Sequence, residues 1–126
     1  MSIPADLKYT NDHEWIKIEG NVGTIGITDY AQGELGDIVF VDIAEDLDEL
    51  VAKESFGTIE AVKTVSDLYA PCGGKVMEIN PKLADEPQVI NTDPYGEGWL
   101  VKVEIANMDD LSDLMDADAY KAHIGQ

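Results

Sequence analysis

Arginine is absent from this 126-residue chain, and only eight lysines stand against 26 acidic residues, for a formal net charge of −18. Such a surface repels the phosphates of nucleic acid and anionic lipid headgroups, and it has no guanidinium fork to read phosphate or base edges. Neither nucleic acid nor a membrane surface is an expected partner. Cysteine is nearly missing as well, since Cys72 alone cannot form an internal disulfide. Two isolated histidines, His13 and His123, together with that cysteine give no zinc-ligand spacing. The aspartates of MDDLSDLMDADAY lack the alternating order and central glycine of a calcium loop. GGKV lacks the leading glycine and the following Ser or Thr of a phosphate-cradling loop. No metal and no nucleotide is expected. Long apolar runs are lacking too, and MSIPADLKYT reads neither as a secretory leader nor as an Arg-rich transit segment. The expected compartment is the cytoplasm, or the mitochondrion only if a transit peptide has been removed.

Core-forming residues, in contrast, are plentiful. Apolar residues make up 44% of the chain, with Ile, Val and Leu spread along it, and a chain of this length buries roughly two-thirds of its unfolded surface. Residues 1–126 are read as a single domain. The acidity has two readings: plain solubility, or a negative face that steers basic patches on partner proteins.

Periodicity points to strands. HEWIKIEGNVGTIGI places Trp15, Ile18, Val22 and Ile25 among polar residues and glycines, as in a hairpin turning at Glu19-Gly20-Asn21. Thr28-Asp29 offers a helix cap, YAQGEL a short helix and Gly36 its stop, before the compact strand DIVFVDI. EDLDE is an acidic connection. SFGTIEAV and TVSDLYAP are two extended runs flanking Lys63, GKVMEIN and WLVKVEI are further strands, and Pro81 to Pro87 is a loop or helical turn. Asn107 to Ile124 reads as a C-terminal helix with Leu111, Leu114, Met115 and Tyr120 on one face. Short strands at such spacings, with helices confined to connections and the C-terminus, make a small β-sandwich or barrel. Met77 and Met115 are expected in the core or along a helix seam.

Catalysis by the chain itself finds little support, and no catalytic residue is assigned. Cys72 follows Pro71 and precedes two glycines with no base nearby in the chain, so it reads as a small residue filling a turn. Lys63 is the conspicuous residue. It lies at the reversal between two β-branched runs, in GTIEAVKTVSDLYAP, whose other charges are acidic. A rigid hairpin there would hold its amine at a tip, where an enzyme could recognise it and attach a prosthetic group.

Four blocks, KYTNDHEW, IGITDYAQGELGDIVFV, GTIEAVKTVSDLYAP and NTDPYGEGWLVKV, resemble in order and spacing the H-protein family of the glycine cleavage system. The resemblance implies a mainly β fold of the lipoyl-domain type, a flattened β-barrel or sandwich of hammerhead form. Short helices and a C-terminal helix at about 107–124 would complete a single lipoyl-carrier domain. It implies lipoate attached covalently to Lys63 through an amide. It also implies a non-catalytic carrier that shuttles an aminomethyl group from a pyridoxal-phosphate glycine decarboxylase to an aminomethyltransferase. Dihydrolipoamide dehydrogenase would reoxidise the arm, and a lipoate-attaching enzyme would load it. The family parks the loaded arm in a cleft, and by resemblance Glu14 and Asp67 contact the arm's amine there. Asp12 stands where relatives often have serine, so it is the third and weaker candidate. His13 and Trp15, on either side of Glu14, are expected to pack or position. Biotin carriers usually set their lysine between methionines, whereas Val62 and Thr64 flank Lys63 here, so lipoate is the expected group. The stretch AEDLDEL replaces a family connection that carries proline and glycine, and Ala61 replaces a serine. Two other roles stay open on these residues: relay of lipoate to 2-oxo acid dehydrogenase subunits, and partner binding by an unmodified carrier-like domain.

Overall fold

Neighbouring residues of one strand serve two separate clusters, and that division organises the molecule. In β2 (Glu14–Glu19), paired antiparallel with β3 (Val22–Ile27), Ile16 is buried in the larger apolar cluster with Ile25 of β3. Trp15, on the opposite face, joins Leu7, Tyr9, Ala117 and Tyr120 in a smaller cluster. Gly26 lies across from Trp15, and a Cβ added there would stand 2.6 Å from the indole ring, so only glycine admits it. The computed structural model describes residues 2–125, and residues 1 and 126, the two ends of the expected domain, lie outside the described residues.

The larger sheet holds β1 (Lys8–Tyr9), β2, β3, β9 (Val101–Ile105), β8 (Gly74–Ile79) and β5 (Glu49–Leu50), in that spatial order. The smaller holds β4 (Ile38–Asp42), β6 (Ser55–Ala61) and β7 (Val65–Tyr69), with β6 in the middle. All the pairings are antiparallel. Ile16, Ile25, Val101 and Val103 from one sheet meet Ile38, Ile59 and Leu68 from the other in a single core, each contributing roughly 1.5–3 kcal/mol on burial. The mainly β expectation holds in its sandwich form, because the two sheets stay open and do not close on each other.

The expected hairpin closes at Glu19 and Val22 across Gly20, whose φ of 64° suits glycine. Thr28 caps α1 (Asp29–Leu35), its Oγ1 accepting from the Ala31 N–H at 3.1 Å, and Gly36 stops the helix at φ 83°. Two further short helices follow, α2 (Lys82–Asp85) and α3 (Val89–Thr92).

Two expectations need correcting. The helix expected over 107–124 is broken into a 3-10 turn at Met108–Leu111 and α4 (Ala117–His123). Each has its own cap: Asn107 Oδ1 accepts from the Asp109 N–H at 3.0 Å, and Asp116 Oδ1 from the Ala119 N–H at 2.8 Å. Between them Met115 gives its N–H and C=O to Tyr9 of the edge strand, both at 2.8 Å, and so cannot sit mid-helix. Met77 is 56% exposed, not in the core, because the register of β8 shifts between Val76 and Glu78 and turns its side chain outward.

Candidate functional site

The two runs flanking Lys63 become β6 and β7, and they reverse in the tightest way available. Glu60 pairs with Val65, the Ala61 N–H donates to the Thr64 carbonyl at 2.8 Å, and Val62-Lys63 are the two residues of the turn. Neither has positive φ, since His13 and Lys53 are the non-glycine residues in that region among those described. A β-branched residue such as Val62 fits this turn without strain. The turn is braced from beneath, because the Val62 N–H donates to the Asp37 carbonyl at 3.1 Å.

Lys63 is exposed and belongs to none of the three ion pairs found among the described residues. Its stem lies over Gly36, with Cε 3.4 Å from where a Cβ on that glycine would stand. Gly36 is itself held in place. Asn91 of α3 donates through Nδ2 to the Gly36 carbonyl and to Gln32 Oε1, each at 2.9 Å, while its Oδ1 accepts from the Ile38 N–H at 2.9 Å. Sequence reasoning missed Asn91. The NTDPYGEG block contains it, but nothing local distinguishes a loop asparagine from one that ties α1 to β4.

From the end of α1 next to Gly36, a groove of about 210 Å³ runs between α1 and β7 to the turn that carries Asp12 and Glu14. Its apolar walls include Ile27, Ala31, Leu35 and Leu68, and Asp67 is on its β7 side. The three expected acids therefore line one groove. On the other side of Glu14 lies a second cavity of about 220 Å³, which Thr10, Lys53, Tyr69 and Asp113 also line. Lys53 and Asp113 form an ion pair there at 3.1 Å.

Glu14 separates the two spaces. Its side chain is 1% exposed, Oε1 accepts from the Thr10 hydroxyl at 2.7 Å, and Oε2 accepts from the Tyr69 N–H at 3.3 Å. Burial pushes its carboxyl up to about 8, with those two hydrogen bonds pulling the other way and nearby Asp12 adding to the rise. Burial thus favours the neutral form of Glu14 near pH 7. A cation brought beside it would drive off the proton and restore the charge. Asp67, in contrast, is exposed, and its Oδ2 accepts from the Tyr69 hydroxyl at 3.4 Å. Asp12 is exposed at the lip shared by both spaces.

The residues flanking Glu14 are held by packing and hydrogen bonds. His13 takes φ 70°, and its Nδ1 meets the Tyr120 hydroxyl at 2.8 Å, which meets the Oγ1 of the cap residue Thr28 at 2.8 Å. Burial first, and then the His123 ring with its centroid 5.7 Å away, lower the imidazole's pKa below its usual range. Trp15 is buried, with Nε1 donating to the Pro94 carbonyl at 3.0 Å. Cys72 is fully buried and burial pushes its thiol up to about 11, which leaves it no part in chemistry at neutral pH.

A surface amine on a stiff turn, a groove with apolar walls beside the helix that ends at Gly36, and a buried acid in that groove's lining would suit a tethered, mostly apolar arm ending in a cation. A family model described as Glycine cleavage H-protein matches residues 7–126. The chain is 58% identical over 122 residues to the glycine cleavage system H protein of Bacteroides fragilis, covering 97% of each. It is 55% identical over 126 residues to that of Staphylococcus haemolyticus, covering 100% of each. Its fold superposes on the crystal structure of a glycine cleavage system H protein from Mycobacterium marinum with a TM-score of 0.89 at 42% identity, covering 98% of this chain and 100% of that one.

Proposed function

The chain belongs to the glycine cleavage H-protein family and is a lipoyl carrier of the glycine cleavage system, and on that footing we propose that Lys63 holds the lipoate. The single observation that supports this attachment is the exposed Lys63 amine on a two-residue turn braced by Asp37. An attaching enzyme can reach that amine without unfolding the hairpin. Acylation removes its cation and leaves the arm free to travel. When bound, the lipoyl group supplies a disulfide that takes up and gives back the aminomethyl cargo of glycine cleavage.

What the chain itself contributes is tethering, parking and exclusion of water. Tethering gives the arm an effective concentration of order millimolar at a docked enzyme. The groove beside α1 receives the arm against Ile27, Ala31, Leu35 and Leu68. Burial of about four methylenes there, at about 0.8 kcal/mol each, gives roughly 3 kcal/mol before ordering entropy is subtracted, enough to hold the arm and yet release it. At the end of the groove Glu14 and Asp67 receive the amine, with Asp12 at the lip. Glu14 gives up its proton as the ammonium arrives.

On this reading the chain is a non-catalytic component serving glycine decarboxylase, aminomethyltransferase and dihydrolipoamide dehydrogenase in turn, loaded by a lipoate-attaching enzyme, as a single cytoplasmic carrier domain. No helix among the described residues is long and apolar enough to cross a membrane. The relatives' shared glycine cleavage name favours this role over relay of lipoate to 2-oxo acid dehydrogenase subunits. Reconstitution with the three purified enzymes tests it. The lipoylated protein supports glycine-dependent NADH formation and Lys63→Ala does not; equal rates from both would refute the assignment of the arm.

A further inference from the structure

The geometry points to Thr10 as the positioning residue that presents the Glu14 carboxyl to the cargo groove. The inference rests on the reading of that groove as the parking site of the arm. Thr10 precedes the turn that carries Asp12, His13 and Glu14, and its Oγ1 is the hub of that turn. It accepts from the Asp12 N–H at 3.3 Å and from the Glu14 N–H at 3.1 Å, and it lies 2.7 Å from Glu14 Oε1. A hydroxyl has one hydrogen. With two N–H groups aimed at its oxygen, that hydrogen has only Glu14 Oε1 to go to.

Two consequences follow. The short bond fixes Oε1 as an acceptor whether Glu14 is charged or neutral, so the proton of the neutral acid sits on Oε2, which the Tyr69 N–H approaches more loosely at 3.3 Å. The proton that leaves when a cation docks therefore leaves from a defined oxygen. The same bond also favours the charged form, against burial and the neighbouring Asp12, both of which oppose it. The other charged or titratable groups around Glu14 are Lys53, Asp113 and Tyr69 at the second cavity, His13, Tyr30, Glu34 and Asp67 along the groove, and Tyr120 behind the turn. None of their side chains donates a hydrogen bond to the carboxyl. The backbone Thr10 N–H donates to the Glu14 carbonyl at 2.9 Å and does not depend on the side chain, whereas Thr10→Val takes their acceptor from the Asp12 and Glu14 N–H groups and Thr10→Ser keeps it.

Thr10→Val removes the hydroxyl at nearly constant volume, and Thr10→Ser keeps it. The lipoylated full chain of each, and of the wild type, is titrated by carboxyl-carbon NMR of Glu14 without cargo. The half-life of the aminomethyl-loaded form is then measured, with Glu14→Gln as reference. The expected result is that Thr10→Val raises the Glu14 midpoint by about one unit and shortens the loaded half-life about as much as Glu14→Gln does, while Thr10→Ser restores both. A folded Thr10→Val protein with wild-type midpoint and half-life overturns the inference. If Glu14→Gln shortens the half-life and Thr10→Val does not, Thr10 falls and the parking site stands. If the midpoint moves but neither variant changes the half-life, the parking site itself is refuted, and with it any role of Thr10 toward the cargo.

Discussion

Replacing Glu14 by glutamine should make the protein more stable, and increasingly so as pH rises. The wild-type carboxyl has an ordinary value of 4.5 and is pushed up to about 8 by burial. Between those values the folded state holds a proton that the unfolded state has released, so wild-type stability falls as pH rises through the window. Below pH 4.5 both states are neutral at this site and nothing is lost. At about 1.4 kcal/mol per unit, the gap costs about 4–5 kcal/mol by pH 9 and most of that by pH 7. Glutamine is neutral throughout and carries no such slope. Urea denaturation of both proteins at pH 5, 7 and 9 isolates the effect, because the repulsion within a chain of net charge −18 is common to both and cancels in the difference. The stability advantage of Glu14→Gln should be smallest at pH 5 and widen toward pH 9. Parallel curves would show that Glu14 ionises as an exposed acid does, and would remove the electrostatic basis for its response to a cation. If Glu14 receives the cargo's ammonium as proposed, the same cost is relieved on loading, and the residue that destabilises the unloaded protein would stabilise the loaded one.

Further outcomes are expected at other positions. Lys63→Ala should leave the unfolding midpoint within experimental scatter, since the residue is exposed and unpaired by charge, and a large drop in thermal melting would contradict the description of the turn. Gly57→Ala should cost about 1–3 kcal/mol, because a Cβ there would stand 2.6 Å from the Asp42 carbonyl between β6 and β4; urea titration measures it, and a neutral result would refute that close approach. Asn91→Ala leaves the Ile38 N–H and Gly36 carbonyl without their partner and should cost about 1–3 kcal/mol, with faster amide exchange at Ile38 as the local signature. Cys72 should resist iodoacetamide at pH 7.5 in the native protein and react once unfolded in guanidinium, as its burial requires.

The parts of the fold legible in the sequence are those decided by neighbours in the chain. The Gly20 hairpin, the Thr28 cap with its Gly36 stop, and the reversal at Lys63 all follow from turn chemistry and period-two alternation, and all are present. The break in the C-terminal segment was not legible, because it depends on Met115 pairing with Tyr9, more than a hundred residues away. The outward turn of Met77 depends on a register shift against β9 that no pattern within β8 announces. At the site, resemblance picked out Glu14 and Asp67 without distinguishing their environments. One is sealed against the Tyr69 backbone and the other stands in solvent, a difference set by where β7 passes the turn after Thr10. The support that Asn91 lends to the ground beneath Lys63 is likewise a matter of α3 meeting the end of α1.

The most direct test of the carrier account is peptide mass mapping of the protein co-expressed with a lipoate-attaching enzyme. The account predicts one lipoyl group, found on the peptide that contains Lys63 and absent from the Lys63→Ala protein. A lipoyl group on any other lysine, or none at all on a folded wild-type chain, would contradict it.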